Sequence, residues 1–319
     1  MFEPLKVFSG TSHPEFVKKI CQYLKLAPGN VTIHRFSNDN IKVKIVENVR
    51  NDDVYVVQTG CSPVNENLME LLIMVDALRY ASAGRITVVM PYYFYSRSDK
   101  KDEPRISIAA RLVADLLETA GADRILTMTL HSPQIMGFPR IPMDQLLPTQ
   151  VMLNHFRTKD LSNAVIAVPD VGGAKSLGIY AKALSLPMVI LEKQRFGDQE
   201  KVVIKNIIGN AKDKDVLILD DEILSGGSML ESVYFLKGHG AQRIVAGCTH
   251  GFFTKNALIK FNEAPVEEII VTNTIPQQHL ELCPKIKVLC VAELFANAIE
   301  AIHKGSSVGS LFWVPGTEF

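Results

Sequence analysis

The chain is short of tryptophan, with one residue, and of cysteine, with five, and it carries no surplus of either charge across 319 residues. Lys plus Arg and Asp plus Glu both count 34, so the formal net charge is zero. Nucleic-acid binders draw much of their affinity from neutralising phosphates, and a chain without excess cations is not built for that. Any polyanion site must be local. The cysteines (Cys21, Cys61, Cys248, Cys283 and Cys290) are odd in number and form no C-x-x-C pair. Neither a disulfide framework nor a zinc knuckle is therefore indicated. Cys248 and Cys290 fall inside apolar runs, which suits buried thiols. No run of 18 apolar residues occurs, so no membrane helix is expected. The opening residues MFEPLKVFSG lack the apolar core of a secretory signal, so a reducing cytoplasm is the expected compartment.

What is present is the composition of a folded protein: 47% apolar and 21% charged residues. The length suggests two domains at about 150 residues each, enough to bury about three quarters of the unfolded surface without a staple. Short β-branched runs recur along it: VYVVQ (54–58), ITVVMP (86–91), ILTMTL (125–130), VIAVP (165–169), MVILE (188–192), VLILDD (216–221), RIVAGCTH (243–250), EIIVTN (268–273) and IKVLCV (286–291). Their near-continuous hydrophobicity marks strands covered on both faces. Between them lie amphipathic segments at 66–84, 106–122 and 229–241. In the second, Ile108, Leu112, Leu116 and Leu117 define an apolar face, and Gly121, Gly238 and Gly240 mark helix ends. The alternation predicts an α/β fold with mostly parallel sheets. The proline-bearing stretch GFPRIPMDQLLPTQ divides it into domains at 1–145 and 146–319.

The segment VLILDDEILSGGSML (216–230) is the most informative. A buried strand ends at Asp220 and Asp221, and Leu224-Ser225-Gly226-Gly227-Ser228 leads into a helix. Glycines let the backbone approach an anion, helical N–H groups point at it, and the two serine hydroxyls add donors. Paired carboxylates upstream can accept from a vicinal diol. The pattern suits a ribose 5-phosphate unit. The plainer reading is a capped helix after a strand, with acids facing solvent; two adjacent acids at a buried strand's end favour the cradle. Residues 96–105 (SRSDKKDEPR) hold four cations and three anions. That is either a solvated loop or a loop that handles a triphosphate, with Arg97 and Arg105 as bidentate forks. His131 and Asp170 each follow a strand, where open sheets present ligands, and each also reads as a structural residue. Lys193 and Arg195 follow the run 188–192 and read equally as exposed connector cations.

FSGTSH (8–13), RFSND (35–39), residues 66–105, LHSPQIMGF (130–138), PDVGGAK (169–175), the cradle and VTNTIP (271–276) together resemble the ribose-phosphate diphosphokinase family, the phosphoribosyl pyrophosphate synthetases. The likeness runs from about residue 5 to 313. It implies two related type I phosphoribosyltransferase-like domains, the first on the nucleotide side and the second on the ribose 5-phosphate side. The implied reaction is Mg²⁺-dependent transfer of the diphosphoryl group of ATP to the 1-hydroxyl of ribose 5-phosphate. By the same resemblance Phe36, Asn38, Asn40, Arg97, Ser98 and Arg105 serve the nucleotide. His131 and Asp170 serve the metal and phosphates, Asp220, Asp221 and residues 224–228 the sugar phosphate, and Lys193 and Arg195 act on a mobile catalytic loop. The resemblance also implies a homo-oligomer of dimers within a hexamer, with no nucleic-acid or membrane partner.

Three positions leave the family pattern: Thr129 and Leu224 stand where an Asp is usual, and Asn40 where a Glu is common. They motivate an alternative, a non-catalytic regulatory paralogue that co-assembles with an active synthetase. A base-attaching phosphoribosyltransferase is a third option, disfavoured by the doubled length.

Overall fold

The computed structural model describes residues 4–169, 173–195 and 202–311, and the side chains of 174–176, 193–195, 202, 203 and 310 fall outside that description. The chain forms two compact units. The first takes residues 4–147, 274–276 and 291–311, and the second takes the described residues of 148–273 and 277–290.

The first unit opens with β1 (Leu5–Ser9), α1 (Pro14–Leu24) and a hairpin of β2 (Val31–Arg35) and β3 (Ile41–Ile45). It continues through β4 (Asp53–Val57), α2 (Val64–Tyr80), β5 (Arg85–Met90), α3 (Ala109–Ala120), β6 (Arg124–Met128) and β7 (Met143–Leu146). Its five-stranded sheet is parallel in the order β1-β4-β5-β6-β7. Each new strand is added on the same side, so right-handed crossovers bring α2 and α3 to one face. There Val54, Val56, Val88 and Met90 pack with Leu71, Met74, Val113 and Leu117. The side of α3 that is buried carries Ala110, Val113, Ala114 and Leu117, while Leu112 and Leu116 are exposed. The apolar face read from 108, 112, 116 and 117 is therefore corrected: of these Leu117 is buried, and the buried side is completed by Ala110, Val113 and Ala114.

The second unit begins with α4 (Thr149–Phe156), β8 (Ala164–Val168), α5 (Gly173–Leu184), β9 (Met188–Arg195) and β10 (Val202–Ile208). It goes on with β11 (Asp215–Ile223), α6 (Gly227–Gly238), β12 (Ile244–Gly251), α7 (Lys255–Glu263), β13 (Glu268–Thr272) and β14 (Ile286–Leu289). The seven strands run β10-β9-β8-β11-β12-β13-β14, with only the β9–β10 pair antiparallel. Strand order grows outward in opposite directions from β8 and β11, so the topological switch point lies between those two strands. All nine apolar runs are strands.

The last helix, α8 (Ala292–His303), corrects the expected 146–319 domain, because it belongs to the first unit. One-sided crossovers leave the second face of the first sheet open. Alternation sends Val7, Tyr55, Val57 and Val89 there, and all are buried. Helices α1 and α8 pack together, with the rings of Phe16 and Phe295 edge to face at 5.4 Å, and the Tyr55 hydroxyl donates to the Ile299 carbonyl at 3.3 Å. Asp53, fully buried, accepts both forks of Arg85 at 2.7 and 2.6 Å, and His303 Nδ1 lies 2.8 Å from the same carboxylate. Arg85 also donates to the Ile302 carbonyl at 3.2 Å, which accepts from the Gly305 amide as well. Cys21, Cys61, Cys248 and Cys283 are buried thiols; Cys290, read as buried from its apolar run, is exposed just after β14. No described helix is long and apolar enough to cross a membrane.

Candidate active site

In the second unit, β11 does not stop at the paired acids but runs on through Glu222 to Ile223. Its pairing with β8 ends at Ile218, whereas pairing with β12 continues to Ile223 opposite Gly251. Asp220, Asp221 and Glu222 therefore project beyond β8 at the carboxyl edge of the sheet, at the switch point. All three are partly buried. Asp220 Oδ1 accepts from the Asp221 amide at 2.9 Å, and Asp221 Oδ1 accepts from the Glu222 amide at 3.0 Å. Carboxylate oxygens of Asp221 and Glu222 lie within 4.8 Å of one another. Burial, followed by the charges of Asp220, Asp221 and Glu222, pushes the Cys248 thiol on the neighbouring strand well above its ordinary pKa. The run read from sequence, 216–221, stops two residues short of the strand's end and so omits Glu222.

Three residues join β11 to α6. Gly226 is the N-cap of α6 at φ +79°, in the left-handed region that favours glycine. A Cβ there would stand 2.5 Å from Phe261 Cε2, so the turn requires glycine twice over. Glycine supplies no capping side chain here, and a helix N-terminus is suited to an anion. Gly227 and Ser225 are exposed beside it, Ser228 is partly buried, and partly buried Leu224 offers no charge. The sequence-predicted sugar-phosphate residues are thus brought together on one strand–turn–helix.

Lys193 and Arg195, expected on a mobile loop past the strand, have backbones inside β9, opposite Ile204 and Val202 of β10. Their side chains, and all of Asp170, lie outside the described residues.

In the first unit, the parallel strands place their following loops along one carboxyl edge. Arg97 is exposed after β5, and His131 is exposed after β6. The His131 amide donates to the buried hydroxyl of Ser96 at 3.1 Å, which ties the two loops together. Ser98 closes the neck of the charged loop: its hydroxyl donates to Ser107 O at 3.3 Å and accepts from the Ala109 amide at 3.1 Å. Arg105, within that loop, is exposed at φ +68°. Thr129 sits two residues before His131 at φ +38°, an uncommon conformation for a β-branched residue and one that stores strain.

Phe36, Asn38 and Asn40 occupy the exposed β2–β3 turn. The Phe36 amide donates to Asn40 O at 2.9 Å and the Asp39 amide to Phe36 O at 2.9 Å, which fixes the tip and leaves the Phe36 ring in solvent, edge-on to His34. Asn40 lines a groove of about 490 Å³ with Asn65, Glu66, Met69 and Ile73 of α2. Arg35 pairs with Glu66 beside it.

A parallel sheet with an anion cradle and acids at its switch point defines the type I phosphoribosyltransferase class of architecture. Residues 5–121 match the N-terminal domain of ribose phosphate pyrophosphokinase, and residues 193–313 match the phosphoribosyl synthetase-associated domain. The chain is 44% identical over 307 residues to a ribose-phosphate pyrophosphokinase of Wolinella succinogenes, covering 96% of this chain and 98% of that one. It is 44% identical over 314 residues to one of Deinococcus radiodurans, with 97% and 98% covered. The crystal structure of phosphoribosylpyrophosphate synthetase from Mycobacterium smegmatis superposes with a TM-score of 0.90 at 36% identity, covering 95% of this chain and all of that one. The chain belongs to the ribose-phosphate pyrophosphokinase family.

Proposed function

We propose that this chain transfers the β,γ-diphosphoryl group of ATP to the 1-hydroxyl of ribose 5-phosphate, releasing phosphoribosyl pyrophosphate and AMP. The observation that carries the reading is the α6 N-terminus opened by a left-handed glycine with no capping side chain, directly beyond carboxylates at the switch point. The sugar's 5-phosphate takes the N–H groups of α6 and the hydroxyls of Ser225 and Ser228. Asp220 and Asp221 accept from its ring hydroxyls. The first unit is the nucleotide side, with Phe36 stacking on the base, Asn38 and Asn40 at its edge, and Arg97 and Arg105 on the phosphates. Ser98 acts by holding that loop's neck.

The step is in-line: the sugar O1 loses its proton and bonds to the β-phosphorus as the bond from the β-phosphorus to the α,β-bridging oxygen breaks, and AMP leaves with that oxygen. Such transfer depends on positioning and on fixed opposing charge more than on covalent help. Lys193 and Arg195 offset charge on the transferred group. Magnesium prefers hard oxygen donors, and the Asp221 and Glu222 carboxylates suit it; His131 and Asp170 are assigned to the metal and phosphates by resemblance. When bound, the ion neutralises phosphate charge. Assembly is as a homo-oligomer built from dimers.

The test is AMP release from ATP, ribose 5-phosphate and magnesium, with inorganic phosphate present. Activity that disappears without the pentose phosphate supports the reading. Folded protein that releases no AMP overturns it in favour of a regulatory paralogue.

A further inference from the structure

Thr59 lies just past β4 and is 1% exposed. Its hydroxyl makes two bonds at once. It donates to the Thr274 carbonyl at 2.8 Å and accepts from the Tyr92 amide at 3.0 Å. Its own amide donates to Ser12 Oγ at 2.8 Å. The Gly60 amide returns a bond to Tyr92 O at 2.9 Å, so Tyr92 is held on both backbone groups. Tyr92 opens the loop that carries Ser96, Arg97 and the charged stretch to 105. Thr274 is the first residue of the short return that 274–276 make into the first unit, immediately after Asn273 of the second. Both Tyr92 and Thr274 are buried, at 7% and 0% exposure, so losing either bond desolvates a buried backbone group at a cost.

We propose that Thr59 is a positioning residue, through which the base of the nucleotide-phosphate loop and the 274–276 return are held in one register. A single hydroxyl rotor serves both, as donor on one side and acceptor on the other. A shift of the Thr274 peptide therefore moves the group that fixes Tyr92, and ordering of the loop by a bound triphosphate orders the return. This rests on the reading of the 96–105 loop as the nucleotide-phosphate loop. The hydrogen-bond linkage itself does not.

The test compares Thr59→Val, which keeps the shape and removes both bonds, with Thr59→Ser, which keeps them. In the unliganded full chain, amide hydrogen exchange in Thr59→Val is expected to quicken at least tenfold in both 92–98 and 274–276, with Thr59→Ser near the parent. In the AMP-release assay, Thr59→Val is expected to raise the KM for ATP about tenfold while the KM for ribose 5-phosphate holds. Parent-like exchange in either segment of folded Thr59→Val overturns the linkage, as does equal damage from Thr59→Ser. Should Thr59→Val not fold, saturating ATP on the parent protein decides: protection is expected at 274–276 as well as at 92–98, and protection at 92–98 alone overturns the proposal. A parent protein that releases no AMP would sink the catalytic reading while the unliganded exchange result still judges the linkage.

Discussion

The ring of Phe261 on α7 fills the space that a side chain on Gly226 would need, with Cε2 only 2.5 Å from the position of a Cβ. The turn that opens α6 is thus backed by a core aromatic from another helix. Gly226→Ala is expected to lose about 2–4 kcal/mol, from left-handed strain and overpacking together. Phe261→Leu should cost stability alone but less than additively in the double variant. Thermal unfolding of the four proteins checks this, and strict additivity would count against the contact.

On the proposed reading, Asp221→Asn removes a charged acceptor for the sugar. Losing such a bond is worth about 1.5–3 kcal/mol, or a fall in kcat/KM for ribose 5-phosphate of roughly 10- to 150-fold. Steady-state AMP release measures it, and circular dichroism should be unchanged. Leu224→Asp restores the acid that the family pattern places there, and a rise in affinity for the pentose phosphate is expected from it.

At φ +38°, Thr129 holds a conformation that Asn and Gly tolerate better. Thr129→Asn is expected to raise the unfolding free energy by about 1 kcal/mol. Denaturant unfolding checks it, and no gain would mean that this backbone carries little strain.

Asp53 is the buried anion that Arg85 and His303 share. Asp53→Asn leaves the Arg85 charge half-buried without its partner, at a cost of about 3–5 kcal/mol. Hydrogen exchange should quicken most in 292–303, since Arg85 and Tyr55 also hold carbonyls of α8.

Asp215 at the start of β11 bonds Arg243 through its side chain, and that bond holds its pKa below the ordinary 3.8 in spite of desolvation. A depressed carboxylate contributes stability that is present above the unfolded pKa and lost as pH falls through the folded one. The contribution is therefore whole above about pH 4. Asp215→Asn should lower stability at neutral pH and narrow its gap to the parent below that pH, read from unfolding at a series of pH values.

Much of this was legible along the chain. Nearly continuous short runs such as VLILD, bounded by turn residues, read as strands covered on both sides, and Ser225-Gly226-Gly227 after paired acids is readable as a cradle from sequence. The β2–β3 hairpin escapes the search for continuous apolar runs because its strands, VTIHR and IKVKI, alternate, as half-exposed strands do. The polar end of β9, Glu192 to Arg195, is a strand because β10 pairs with it, a partner that local composition does not announce.

The order of residues alone determined the α/β alternation, the glycine turn after the paired acids and the family, because each is written in contiguous side chains. Only the tertiary structure decided that α8 closes the first sheet, that Glu222 joins the acids, and that the Thr59 hydroxyl bridges Tyr92 and Thr274. Those depend on groups far apart in the chain, which meet only when buried surfaces and buried polar atoms must find partners.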